Sequence, residues 1–150
     1  MAKQVRHTYW KNTLLDLFTE KRTEFNIIYE DEWVWVIDDK YPKSILHWLV
    51  IPKIKLIHGL DDLTHEHLPL LIHMKNVVTE LIATATARHE FLVGFHKEPS
   101  LYQLHLHVLT SDLSKAKTAR HRFTFSKEFL IPLETVISHF SGGGGKFGTG

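Results

Sequence analysis

The chain contains no cysteine, which excludes disulfides, iron–sulfur clusters and every zinc site built on thiolates, and suits a reducing compartment. No apolar run approaches the roughly 18 residues of a membrane span. The opening MAKQVRHTYWKN lacks the uninterrupted apolar core of a signal peptide. The expectation is a soluble intracellular protein, cytoplasmic or nuclear, with no membrane partner. An excess of charge of either sign is missing too. A net charge of +1 offers no global argument for nucleic acid or lipid, so only local charge can argue for either.

What is present suffices for one domain. A chain of 150 residues removes roughly 70% of its unfolded surface from water. A single domain is expected over residues 1–140. The glycine-rich SGGGGKFGTG, residues 141–150, reads as a flexible tail. Histidine is the unusual residue, at twelve. His65, His67 and His73 in THEHLPLLIHMK read as the polar side of a helix, where a His-x-His pair points about 200° apart and makes a poor metal clamp.

The pattern of apolar residues predicts an α+β fold. TYWKNTLLDLFTEK spaces Leu14, Leu15 and Phe18 as a short amphipathic helix, with Thr8 or Thr13 able to cap it. EFNIIYE and WVWVIDD read as a hairpin, and ILHWLVIP as a third strand ended by Pro52. One long helix follows. Thr64 can cap it with His67 at the capping-box position, while Pro69 argues for a later start. Its apolar stripe is Leu68, Leu71, Ile72, Val78, Leu81 and Ile82. FLVGFH and YQLHLHVLTSD are two more strands, FTF is a possible short one, and PLETVISHF closes the chain as a helix with Pro132 near its first turn. Short links between neighbouring strands favour antiparallel pairing.

The strand QLHLHVL poses the chemical question. Alternation puts Gln103, His105, His107 and Leu109 on one face and the aliphatic Leu104, Leu106 and Val108 on the other. Buried imidazoles cost free energy unless each finds a partner. Three readings compete: satisfied core histidines; a metal pair completed by His96; or a neutral imidazole acting as nucleophile, oriented by its neighbours. With an unperturbed pKa near 6.5, an imidazole is largely neutral at pH 7 and needs no metal to attack.

QLHLHVL resembles the histidine triad motif, in which three histidines alternate with apolar residues, except that Gln103 stands at the first histidine. VIDDKYPKSILHWLVIPKIKLIHGL, GFHKEPSLYQLHLHV and KTARHRFTF are together similar to the aprataxin-like branch of that superfamily, in order and with similar spacing over most of residues 25 to 126. The resemblance implies an antiparallel sheet with one long helix packed on it and short helices at either end. It also implies removal of AMP from adenylated substrates, without a cofactor or metal, through a covalent AMP–histidine intermediate.

By position, His105 matches the nucleophile, His107 the histidine that contacts the α-phosphate, and Ser100 the serine beside the phosphate or leaving group. His47 lines the same site, and Asp39 falls where the family binds the ribose hydroxyls. Lys43, His96, His121 and Lys117 match positions near the nucleotide and phosphate in the aprataxin-like branch. The family orients its nucleophile largely through the backbone carbonyl at the first motif position, so Gln103 implies retuned activity rather than a dead site. Lacking cysteine, the sequence holds none of the zinc finger that aprataxin carries after this domain, which implies a weaker hold on DNA ends.

The implied partners are an adenine nucleotide or adenylated substrate, with a DNA or RNA 5′ end first and an AMP phosphoramidate close behind. The protein would act as a monomer or homodimer. The alternatives are a nucleotide-binding module whose catalysis has faded, and a metal-dependent hydrolase using the His-x-His pair.

Overall fold

A computed structural model describes residues 10–55, 57–85 and 89–147. Six strands form one antiparallel sheet in the order β1-β2-β3-β5-β4-β6. They are β1 (Ile27–Glu30), β2 (Val34–Asp38), β3 (His47–Pro52), β4 (Phe91–His96), β5 (Leu106–Thr110) and β6 (Leu130–Pro132). Helix α1 (Leu68–Thr84) packs on one face together with α3 (Leu133–Ser141), while α2 (Ala119–Phe123) lies between β5 and β6. The α+β expectation holds, as do the hairpin and the end of β3 at Pro52.

The two faces of the sheet bury different sets of residues. Val34, Val36, Trp48, Val50, Leu106 and Val108 join Leu71, Met74 and Val78 of α1 and Val136 and Phe140 of α3 in the main core. On the opposite face, Trp35, Ile37, Leu49 and Ile51 pack on Leu14 and Leu17. Further along that face Leu109, Phe125 and Leu130 form a third cluster. The second and third clusters leave a gap between them, and the polar site sits there.

Three local expectations are corrected. The N-terminal helix is a 3-10 helix, Trp10–Phe18, with three residues per turn, so Leu17 rather than Leu15 joins Leu14 on its buried side, while Phe18 packs partly buried against the same cluster as expected. Thr13 donates to the Trp10 carbonyl inside that helix, and Thr8 lies outside the described residues. In α1 the buried stripe is Leu70, Leu71, Met74, Val77 and Val78, and Ile72 is exposed. Leu71 and Val78 are buried as expected, and Leu68, Leu81 and Ile82 pack partly buried against the same core, with Met74 at the centre of the stripe. FTF is not a strand. Thr118 caps the His121 N–H, Ala119–Phe123 coils as α2, and Leu130–Pro132 takes the place beside β4.

The start of α1 reconciles two signals. Thr64 caps a single 3-10 turn, His65–His67, with the His67 imidazole accepting from the Thr64 N–H. The α-helix proper begins only at Leu68, with Pro69 in its first turn, where a missing N–H costs nothing. Gly94 of β4 is required by close approach. A Cβ there would lie 2.6 Å from the Ile131 carbonyl oxygen, so any side chain would push β6 off the sheet. At the C-terminal end, His139 bonds the Gly145 carbonyl and Phe147 packs edge-on against its ring. Residues 148–150 of the expected tail lie outside the described residues.

Candidate active site

Antiparallel register assembles the histidines. His47 stands opposite Leu109, and Leu49 opposite His107, so the imidazoles of β3 and β5 are diagonal neighbours on the face away from α1. Gly94 stands opposite His107 on the other side, and His96 follows two residues later on the same face. The His107 ring centroid lies 4.5 Å from that of His96, 5.1 Å from His105 and 5.2 Å from His47. Phe125 closes the cluster with its ring 4.8 Å from His96 and 5.3 Å from His107.

The hydrogen bonds determine which nitrogen of each ring carries the proton. The Lys43 N–H donates to His47 Nδ1 at 3.0 Å, so a neutral His47 carries its proton on Nε2. That Nε2 lies 2.9 Å from His107 Nδ1 and 3.3 Å from Asp39 Oδ2. His107 accepts at Nδ1 and so carries its own proton on Nε2, a buried atom with no hydrogen-bond partner among the described residues. A buried donor of this kind is expensive until an acceptor arrives. His105 is turned the other way. Its Nδ1 lies 2.9 Å from the Gln103 carbonyl oxygen, to which it donates, leaving the lone pair on Nε2.

Burial holds the rings neutral. Desolvation pushes the pKa of His47 down to about 4 against the opposing pull of Asp39, and that of His96 to about 4, with His105 adding to the effect. Desolvation likewise lowers His105, partly offset by its bond to the Gln103 carbonyl. It places His107 well below the usual histidine range, with His105, His96 and His47 adding to the shift. Near pH 7 the cluster therefore offers lone pairs and N–H donors rather than positive charge.

The loop before β3 is pinned in turn. Ser44, fully buried, donates to the Thr110 carbonyl and accepts from the Leu113 N–H. Asp39 accepts from the Tyr41 N–H through Oδ1, and its own N–H bonds the His47 carbonyl. Asp39 and Lys43 are thereby fixed to the strand that carries His47.

These residues line a cleft of about 610 Å³. Of the residues expected from the sequence, Asp39, Lys43, His47, His96, Ser100, His105, His107 and His121 all face it. Two do not. Lys117 is exposed, lies before the Thr118 cap and is not part of the lining. The Gln103 side chain also stays out of the cleft, because the strand begins only at Leu106 and Gln103 has φ +72°. That left-handed turn breaks the alternation expected of a strand. The amide is fully buried and donates instead to the Pro52 and Ile54 carbonyls.

The metal reading is reshaped as well. Among the described residues, the grouping able to hold an ion is Asp39, His47 and His107, with ligand atoms within 4.8 Å of one another, rather than His96, His105 and His107. Two of its three ligand atoms, His47 Nε2 and His107 Nδ1, already satisfy each other.

Several lining residues were not singled out from the sequence: Tyr41, Glu98, Arg120, Phe123, Phe125 and Phe129. The basic run around His121 signalled the segment. Only the coiling of α2 decides that Arg120 rather than Lys117 reaches the cleft.

Comparison with known proteins assigns the chain to a family. The family model described as "Scavenger mRNA decapping enzyme C-term binding", a histidine-triad-like family, matches residues 12–122. The chain is 38% identical over 133 residues to aprataxin of Gallus gallus, covering 86% of this chain and 41% of that protein. It is 36% identical over 115 residues to aprataxin of Danio rerio, covering 74% and 35%. The chain thus spans about two fifths or less of the length of these two relatives. The crystal structure of the aprataxin ortholog Hnt3 in complex with DNA superposes with a TM-score of 0.60 at 22% identity, over 87% of this chain and 76% of that one. The chain therefore belongs to this family, as an aprataxin-like histidine triad domain.

Proposed function

We propose that the protein removes AMP from adenylated substrates through a covalent AMP–histidine intermediate on His105, with an adenylated nucleic-acid 5′ end as the leading substrate. The observation that carries this reading is the 2.9 Å bond from His105 Nδ1 to the Gln103 carbonyl. It commits the lone pair to Nε2 on a ring that lines the cleft, beside a buried His107 Nε2–H that lacks an acceptor. A phosphate oxygen supplies that acceptor.

The chemistry follows from the protonation states. The His105 Nε2 lone pair bonds to the α-phosphorus while the bond to the leaving group breaks and its electron pair departs with the leaving oxygen. His107 Nε2–H donates to a non-bridging oxygen on which charge builds. The positive charge formed on the His105 ring is held at Nδ1–H by the Gln103 carbonyl. Water then attacks phosphorus and gives up a proton to bulk solvent, the N–P bond breaks, and its electron pair returns to Nε2. Asp39, as a carboxylate, accepts well from two ribose hydroxyls, and Lys43 faces the same cleft. A phosphate leaving group needs no proton, which suits a cluster whose four imidazoles are all held neutral. The relatives support the order of substrates: one neighbour is described as the aprataxin ortholog Hnt3 in complex with DNA, another as Hnt3 with DNA and guanosine.

The test is a trapping experiment. Protein quenched in acid during turnover of a substrate labelled in its AMP phosphate should carry the label, and His105→Ala should carry none. A protein that binds the nucleotide yet traps no label and releases no AMP is a binding module. A protein that releases AMP only with added zinc is a metal hydrolase.

A further inference from the structure

Two aromatic rings stand unburied at the rim of the cleft. Phe123 and Phe129 lie edge to face with centroids 5.0 Å apart, and they are 54% and 41% exposed. Their backbones are anchored. Phe123 ends α2, whose His121 N–H is capped by Thr118. The Phe129 N–H donates to the Ser126 carbonyl, and its own carbonyl accepts from the Lys97 N–H. Both rings line the cleft that holds the histidines.

That cleft has two unlike ends. Leu49 and Leu101, at the aliphatic end, belong to the cluster beneath the 3-10 helix. Arg120 and His121, both lining the cleft, lie on α2 with Phe123, whose ring meets Phe129. A substrate with a phosphate at its centre and an apolar group on either side fits such a cleft. Flat rings beside a cation such as Arg120 are the usual platform for an unpaired base: the rings stack on its face and the cation meets the phosphates. The aliphatic side chain of a lysine adduct offers no such face.

We propose that Phe123 and Phe129 form the subsite for the first base of the leaving strand, so that the site selects nucleic-acid ends whose 5′ base is unpaired over small AMP phosphoramidates. This rests on the AMP-removal reading above. The leaving strand departs past Arg120 and His121, and the edge-to-face pair presents one ring to the base while the other supports it.

The experiment compares AMP release from three substrates: a 5′-adenylated single-stranded oligonucleotide, the same oligonucleotide with an abasic first nucleotide, and the AMP–lysine phosphoramidate. In the wild-type protein the abasic change should cost about tenfold in kcat/KM, toward the low end of what one stacked base contributes. In Phe123→Ala and Phe129→Ala the ratio of oligonucleotide to phosphoramidate activity should fall about tenfold, and the abasic change should then cost nothing further. An unchanged ratio overturns the proposal. An equal loss on the intact and abasic oligonucleotides also overturns it, because the rings then only shape the rim. Wild-type protein that releases AMP from none of the three fails the underlying reading, and the proposal falls with it.

Discussion

His47 Nε2 lies 2.9 Å from His107 Nδ1, across two adjacent strands and sixty positions of sequence. Because the Lys43 N–H already occupies His47 Nδ1, the proton between the two rings originates on His47. A backbone N–H outside the strand thus dictates, through one imidazole, where the next carries its proton.

The first prediction concerns that relay. His47→Ala removes the donor to His107 Nδ1, and the His107 proton then becomes free to move to that atom. AMP release should fall by about 10²- to 10⁴-fold, on the scale of a triad histidine left in the wrong tautomer. Nitrogen chemical shifts of the His107 ring should report Nε2–H in the wild type and a change toward Nδ1–H in the variant. A variant with full activity would sink the relay.

A second prediction separates the two roles of Gln103. Its carbonyl orients His105, while its buried amide ties the loop to the Pro52 and Ile54 carbonyls. Gln103→Ala keeps the carbonyl and loses both amide bonds. Stability should drop by about 2 kcal/mol in denaturant unfolding, with turnover reduced far less than in any variant of His105. Gln103→His can donate to only one of those carbonyls. It should release AMP normally while losing about 1 kcal/mol of stability.

The nucleophile is tested directly by His105→Ala. The ring is the last residue before β5 and contributes little to the main core. Circular dichroism should therefore stay native while turnover falls a thousandfold or more, as expected when the group that forms the covalent bond is removed.

Acid should weaken the fold over a defined window. His47 and His96 titrate near 4 in the native state, and His105 and His107 are lowered too, whereas all four take up protons near 6.5 once unfolded. The unfolded state then binds more protons between about 6.5 and 4, so stability must fall as pH drops through that range. Each ring that stays neutral contributes a slope of ~1.4 kcal/mol per pH unit. Urea titrations at pH 7, 6 and 5 measure it, and a flat profile would contradict the burial-driven shifts. For the same reason the acid limb of kcat/KM should lie below 6.5, because His105 keeps its lone pair to lower pH.

Removal of metal provides the last test. A neutral imidazole with an oriented lone pair attacks without Lewis-acid help, so exhaustive chelation should leave AMP release unchanged. Loss with EDTA and recovery with zinc would instead place the ion on Asp39, His47 and His107.

Much of this protein was legible in the order of its residues, and the reason is periodicity. The β-rich apolar runs WVWVIDD and ILHWLVIP, the capping pair Thr64 and His67, and the spacing of His105 and His107 are local patterns. Each restricts a few neighbouring dihedrals and side-chain directions, so the strands, the long helix and the motif could be read one segment at a time. What the sequence did not determine by itself depends on partners distant in the chain. Gln103 looked like a third polar member of one strand face. Only the Pro52 and Ile54 carbonyls, some fifty residues away, show why a left-handed residue there turns its amide out of the cleft. Lys117 was expected at the site and Arg120 was not, until the Thr118 cap started a helical turn that brings Arg120 to the cleft. The proton order along Lys43, His47 and His107 exists only because antiparallel register brings β3 beside β5. Tertiary packing decided these because desolvation and hydrogen-bond geometry act between groups that sequence separation leaves unrelated.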